Sequence, residues 1–130
     1  MLIEKFEDIK AWQLARNLVR EIYAISAKGA FAKDFALKDQ IRRAAASTMH
    51  NIAEDFDSGS RAEFSRFLRY TQRSATEVMS QLYIALDQDY LTPAQFKTLR
   101  QLAGEVRATT GGFIKHLQTK KPPTRPTLQP

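Results

Sequence analysis

Residues 40–54 read QIRRAAASTMHNIAE, and their spacing is that of a helix with two chemically different faces. At 100° per residue, the apolar and small side chains share one face, which is typical of a surface packed against a core: Leu37, Ile41, Ala44, Ala45, Thr48, Met49 and Ile52. The opposite face, here called the polar face, carries Arg43, Ser47, His50 and Glu54, with Asn51 at its border. It is open to two interpretations, a functional surface or a solvated face with local pairs such as His50 with Glu54.

Three further segments repeat this apolar period, so the sequence predicts helices over 8–27, 37–56, 61–89 and 93–119. Residues with known end preferences mark the boundaries: Asp8 as an N-cap, Gly29 as a C′ residue, Ser60 and Glu63 as a capping box, and Thr92 before Pro93. Residues 31–35 form a short loop in this prediction. No segment alternates with period two, and short connections favour antiparallel neighbours. The predicted fold is all-α, an antiparallel up-down-up-down four-helix bundle over 1–119.

Two details of these helices bear on contacts. The apolar face of the first helix, which includes Trp12, covers nearly half of its circumference, which is wider than one core contact needs. We therefore expect this helix to touch a second surface, such as another subunit. In the fourth helix, Gly111 and Gly112 predict either a bend or a close helix contact.

Composition limits the class of protein. The chain has 130 residues, no cysteine and no apolar run near the roughly 20 residues of a membrane span. We expect a soluble, cytoplasmic protein without a membrane partner. The net charge is +6; residues 1–90 hold 13 basic and 13 acidic side chains, so the whole excess lies in 91–130. Residues 120–130 are a Pro-rich basic tail that we expect to be disordered.

Catalytic and metal chemistry find no support in the motifs. Bundles that hold di-iron sites use Glu-x-x-His pairs, but Ser47 precedes His50 and Phe113 precedes His116 at this spacing. Ser47 near His50 on a regular helix is not a strained nucleophile with an oriented base, and there is no glycine-rich phosphate loop. We expect no enzyme activity, no metal and no cofactor.

A row of arginines on the third helix is the strongest binding signal. Arg66, Arg69 and Arg73, here called the arginine row, recur at i, i+3 and i+7 opposite the core face. They are open to three interpretations: phosphate contacts with Tyr70 as a stacking surface, a solvated face with an Arg73–Glu77 pair, or a subunit interface.

Three blocks resemble a known family: FEDIKAWQLARNLVREIY from residue 6, QIRRAAASTMHNIAED from residue 40, and RFLRYTQRSATEVMSQLYIALDQDYL from residue 66. Their Trp-Gln pair and their Gln-x-Arg-Arg-Ala, Asn-Ile-Ala-Glu and Ser-x-x-Glu motifs resemble the four-helix-bundle proteins encoded in intervening sequences of bacterial 23S ribosomal RNA. Asp55 and Arg73 depart from the pattern, since the family has glycine there. Asp55 is expected to lengthen the second helix, and Arg73 to obstruct close approach.

The resemblance implies a four-helix bundle that assembles into a homo-oligomeric ring, a pentamer. It extends to the accessory protein of diversity-generating retroelements, a basic pentameric barrel that binds nucleic acid and a reverse transcriptase. We expect a non-enzymatic homo-oligomer that binds nucleic acid, RNA or DNA and above all structured RNA, through Arg66, Arg69, Arg73, Lys115, Lys120 and Lys121. To the oligomer interface or a polar network we assign Arg43, Ser47, Asn51, Glu54 and Trp12. The alternative is a structural scaffold that binds a protein partner.

Overall fold

The computed structural model describes residues 3–56 and 61–119, and it contains helices α1 (Lys10–Ser26), α2 (Phe35–Phe56), α3 (Arg61–Asp87) and α4 (Pro93–Thr119). Within these two ranges all regular structure is helical, with single 3-10 turns at Phe6–Asp8 and Phe31–Lys33. The predicted all-α class is confirmed. Ser60 of the predicted capping box and the tail from 120 to 130 lie outside the described residues.

The four helices form a bundle in which each helix packs against two others. Helix α1 packs on α2 and α4, and α3 packs on the same two helices. Along the α3–α4 contact, Gln72 lies near Gly111 and Met79 near Gly104. Residue numbers thus fall on α4 as they rise on α3, which makes these neighbours antiparallel. No helix within the described residues is long and apolar enough to cross a membrane.

A continuous core fills the space between the helices. Its fully buried apolar side chains come from all four: Leu18, Ile22, Ile41, Ile52, Leu68, Val78, Leu82 and Val106. Burial of this apolar area is the main favourable contribution to folding. Three threonines are also fully buried, and each satisfies its hydroxyl with a backbone carbonyl. The Thr71 hydroxyl donates across the α2–α3 contact to the Thr48 carbonyl at 3.2 Å, so it also joins the two helices.

The helix ends agree with the sequence at α4 and differ at α1. Thr92 and Gln95 exchange hydrogen bonds at 2.9 and 3.1 Å, a capping box that starts α4 at Pro93. The prediction of Asp8 as the N-cap of α1 was wrong, because Ile9 holds that position. The Asp8 carboxylate instead accepts from the backbone N–H groups of Glu4 and Lys5, both at 3.3 Å, which closes the preceding 3-10 turn.

The predicted loop at residues 31–35 is also more ordered than expected. Asp34 follows its 3-10 turn and accepts a hydrogen bond from the Leu37 N–H at 3.1 Å, so α2 starts at Phe35, two residues earlier than predicted. The second Asp34 oxygen accepts from the Tyr90 hydroxyl at 2.9 Å. At its other end α2 continues through position 55 to Phe56. The sequence predicts this continuation, because Asp55 stands where the family has glycine.

Candidate nucleic-acid interface

The arginine row lies on the solvent side of α3. Arg66, Arg69 and Arg73 are all exposed, because the core takes the opposite side of the helix through side chains such as Leu68, Ala75 and Leu82. Lys115 is exposed on α4, one turn after Gly111. Lys120 and Lys121 lie outside the described residues. The structure therefore places four of the six predicted phosphate-contacting residues on the surface, on two adjacent helices.

A groove between α3 and α4 collects part of this charge. It has a volume of about 600 Å³ and is lined by Arg69, Gln72, Arg73, Thr76, Arg107, Ala108 and Gly111. Three arginines thus share one shallow, open surface, and the described residues that line it include no acidic side chain. We call it the arginine groove. Closely placed guanidinium groups raise the local positive potential and attract phosphate.

Arg107 is the groove residue that the sequence prediction missed, and its side chain is held in place. Its guanidinium donates to the Thr76 hydroxyl across the groove at 3.2 Å, while its backbone carbonyl accepts from the Gln72 amide at 3.2 Å. This hydrogen bond holds the Arg107 guanidinium at the groove. Because the side chain is partly ordered beforehand, less conformational entropy is lost when it binds an anion.

Gly111 leaves room on α4 for the end of the Gln72 side chain, which reaches across from α3. A Cβ at this position would lie 2.9 Å from the Gln72 amide nitrogen, which is closer than van der Waals contact allows. A side chain here would therefore displace Gln72. At Gly112 a Cβ would meet nothing within 4 Å. The sequence predicts either a bend or a close helix contact at this glycine pair; in the structure the end of the Gln72 side chain of α3 lies close to Gly111, and α4 is continuous through both glycines.

The polar face of α2 divides into two parts. Arg43, His50 and Glu54 are exposed, and Arg43 pairs with Asp39 of its own helix at 3.1 Å. Ser47 and Asn51 are half-buried and use their polar atoms within the chain. The Asn51 amide donates to the Ser47 hydroxyl and carbonyl, both at 2.9 Å, and Ser74 of α3 donates to the same hydroxyl at 2.9 Å. Ser47 and Asn51 thus belong to a polar network that joins α2 to α3.

Trp12 is buried, with only 8% of its surface exposed. Its ring packs edge-on against Phe6, with 5.2 Å between ring centroids, and the Arg16 guanidinium lies 5.9 Å from the ring centroid. These contacts place Trp12 in the core of its own bundle.

Within residues 3–56 and 61–119, no three His, Asp or Glu side chains are grouped where they could hold a metal ion.

Comparison with known proteins agrees with this architecture. A crystal structure of a protein of unknown function from the S23 ribosomal protein family of Bacteroides thetaiotaomicron VPI-5482 has the same fold, with a TM-score of 0.73 and 23% sequence identity. The match covers 81% of this chain and 98% of that one. No curated protein matches this sequence. The family model of the 23S rRNA-intervening sequence protein matches residues 7–112, and the chain therefore belongs to that family.

Proposed function

We propose that this protein is a non-enzymatic, homo-oligomeric, cytoplasmic protein that binds RNA through the arginine groove. The observation that carries the proposal is the convergence of Arg69, Arg73 and Arg107 on one shallow, open surface without an acidic lining residue. Guanidinium groups bind phosphate oxygens through paired hydrogen bonds, and each contact with RNA releases condensed counterions. Arg66 continues the same positive surface along α3.

Assembly into a ring would multiply this charge. Five copies of a chain with net charge +6 carry about +30, enough for long-range attraction to phosphate at low salt. One feature of α3 supports self-association. Ile84 leaves 48% of its surface exposed, and an apolar side chain this open is a candidate contact with a second copy.

The RNA-binding proposal is tested by fluorescence anisotropy with a labelled RNA hairpin. Replacing Arg69, Arg73 and Arg107 together by alanine is expected to weaken binding at least about tenfold at 50 mM salt. The same change should reduce the slope of log K against log salt by about 2, because each lost phosphate contact contributes roughly 0.7 to 0.9.

The matched control is a triple alanine variant of the exposed Lys10, Arg20 and Lys28, which removes the same charge from α1 and from the turn that follows it. It is expected to keep most of the affinity. Equal losses in the two triple variants, or no binding by the native protein at 50 mM salt, would contradict the proposal. In the second case, one protein partner that co-purifies after nuclease treatment would favour the scaffold function instead.

The assembly proposal has its own measurement. Light scattering coupled to size exclusion is expected to give a mass several times the 14.8 kDa of the chain, and Ile84→Glu is expected to lower it. Gln101→Glu, at an exposed position of α4, introduces the same negative charge and serves as the control. A monomeric mass at micromolar concentration would refute self-assembly without affecting the RNA-binding test.

A further inference from the structure

Tyr70 lies beside the arginine groove and leaves 36% of its surface exposed. Phe67, one turn earlier on α3, supports the ring edge-to-face, with 5.6 Å between centroids and an interplanar angle of 66°. Tyr70 therefore presents an aromatic surface whose orientation is held from behind. An exposed aromatic ring next to a basic groove is the arrangement on which nucleic-acid bases stack.

Arg73 connects this ring to the groove. Its guanidinium lies over Tyr70, 5.5 Å from the ring centroid, and the same side chain lines the arginine groove. A guanidinium and a nucleobase are both flat groups that stack on an aromatic face. A base can therefore take the place of the guanidinium on Tyr70, and Arg73 is then released to contact a phosphate next to that base.

The order of side chains around α3 fits one strand of nucleic acid. At 100° per residue, Arg69 lies at the groove, Arg73 is about 40° further around the helix, and Tyr70 is about 100° from Arg69. A strand that crosses α3 at this level meets phosphate-binding groups first and a stacking surface next. A duplex offers its phosphates to such a surface but not its base faces, which are covered by neighbouring bases.

We propose that the arginine groove binds an unpaired stretch of RNA, with one base stacked on Tyr70 and the adjoining phosphates bound by Arg69, Arg73 and Arg107. This inference rests on the proposed function and adds the class of RNA to it. Hairpin loops, bulges and single-stranded ends qualify as ligands, and a fully paired helix does not.

The test measures binding of two ligands at the same salt concentration. One is a labelled 12-nucleotide RNA strand that has no internal pairing, and the other is the same strand in a blunt duplex. The native protein is expected to bind the single strand more tightly. Tyr70→Ala is expected to weaken single-strand binding about 5- to 150-fold, the range for loss of one stacked base, while its salt slope stays unchanged because no phosphate contact is removed. Tyr70→Phe, which keeps the ring, is expected to retain the affinity.

Tyr83→Ala is the matched control, since Tyr83 is a tyrosine of α3 that is even more exposed (47%), packs on Phe96 and does not line the groove. A second variant, Tyr70→Trp, gives a direct signal: its indole emission should be quenched by the single strand and not by the duplex. The inference is overturned if Tyr70→Ala and Tyr83→Ala behave alike, or if the duplex binds as tightly as the single strand. If the triple arginine variant still abolishes binding in those cases, the proposed function stands without the inference.

Discussion

Gly111 and Gly112 are adjacent in α4 and allow a controlled test of the helix contact that shapes the arginine groove. An added Cβ at Gly112 meets nothing within 4 Å, whereas at Gly111 it would lie 2.9 Å from the Gln72 amide nitrogen. Gly112→Ala is therefore expected to stabilise the protein by about 0.5–1 kcal/mol, because alanine costs less backbone entropy in a helix than glycine.

Gly111→Ala should gain the same stabilisation from the lower backbone entropy cost of alanine, but it should lose the contact with Gln72. The added methyl group pushes the flexible end of Gln72 away, so its 3.2 Å hydrogen bond to the Arg107 carbonyl is lost. Such a bond contributes about 0.5–1.5 kcal/mol. The two terms nearly cancel, and Gly111→Ala is expected to be less stable than Gly112→Ala by about 0.5–1.5 kcal/mol.

The measurement is urea unfolding followed by circular dichroism at one fixed protein concentration, which keeps any contribution from assembly constant. The two alanine variants are compared in the native background and again with Gln72→Ala. In the second background the stability difference between them should disappear. Equal stabilities in the native background, or a difference that persists without Gln72, would refute this account of the contact.

Three further predictions concern the helix ends. Arg42 donates to the Ser26 hydroxyl (2.8 Å) and the Tyr23 carbonyl (3.2 Å), whereas the Arg43–Asp39 pair is exposed. In urea unfolding, Arg42→Ala should therefore lower the stability by about 1–3 kcal/mol and Arg43→Ala by at most about 0.5 kcal/mol; equal losses would contradict this. Asp89, just after the end of α3, has a φ of 61°, which glycine adopts more easily than other residues. Asp89→Gly should therefore stabilise the fold by about 0.5–1 kcal/mol and raise the thermal midpoint, and Asp89→Ala should not; a gain with alanine would exclude the backbone explanation. The hydrogen bond to Asp34, then burial and the Asp34 charge, raise the pKa of Tyr90. This contact therefore stabilises the fold below pH ~10 and is lost as pH rises through the folded-state pKa; ultraviolet titration should show a late phenol ionisation that is missing in Tyr90→Phe.

The fold was predictable because local signals and the apolar period agree along most of the chain. Thr92 before Pro93 fixes the start of α4 in sequence and structure alike. The prediction failed where the partner lies outside the helix concerned. Asp8 has the chemistry of an N-cap, but its carboxylate bonds backward to close a 3-10 turn. The sequence predicts a loop at Asp34, although this residue caps α2 and also accepts a hydrogen bond from Tyr90, 56 residues away.

The candidate site was predictable only in part, for the same reason. Arg69 and Arg73 stand out because they recur on one helix face, a pattern within a single segment. Arg107 carries no such local signal, since its role depends on the distance between α3 and α4. The small residue at Gly111, one turn later, was the available clue, because close helix packing brings a neighbouring arginine toward the facing helix.

The surface of α3 differs in chemistry from place to place, and this difference gives a test of the proposed assembly and of the proposed RNA binding. Ile84 is an exposed apolar side chain, while Arg69 and Arg73 line the arginine groove. Contacts between uncharged side chains depend little on salt, whereas arginine–phosphate contacts weaken steeply with it. If assembly rests on uncharged side chains such as Ile84, raising salt should release RNA from an oligomer that stays intact. If the two dissociate together, the ring itself is held by the arginine row, and the subunit-interface interpretation of those residues is the correct one.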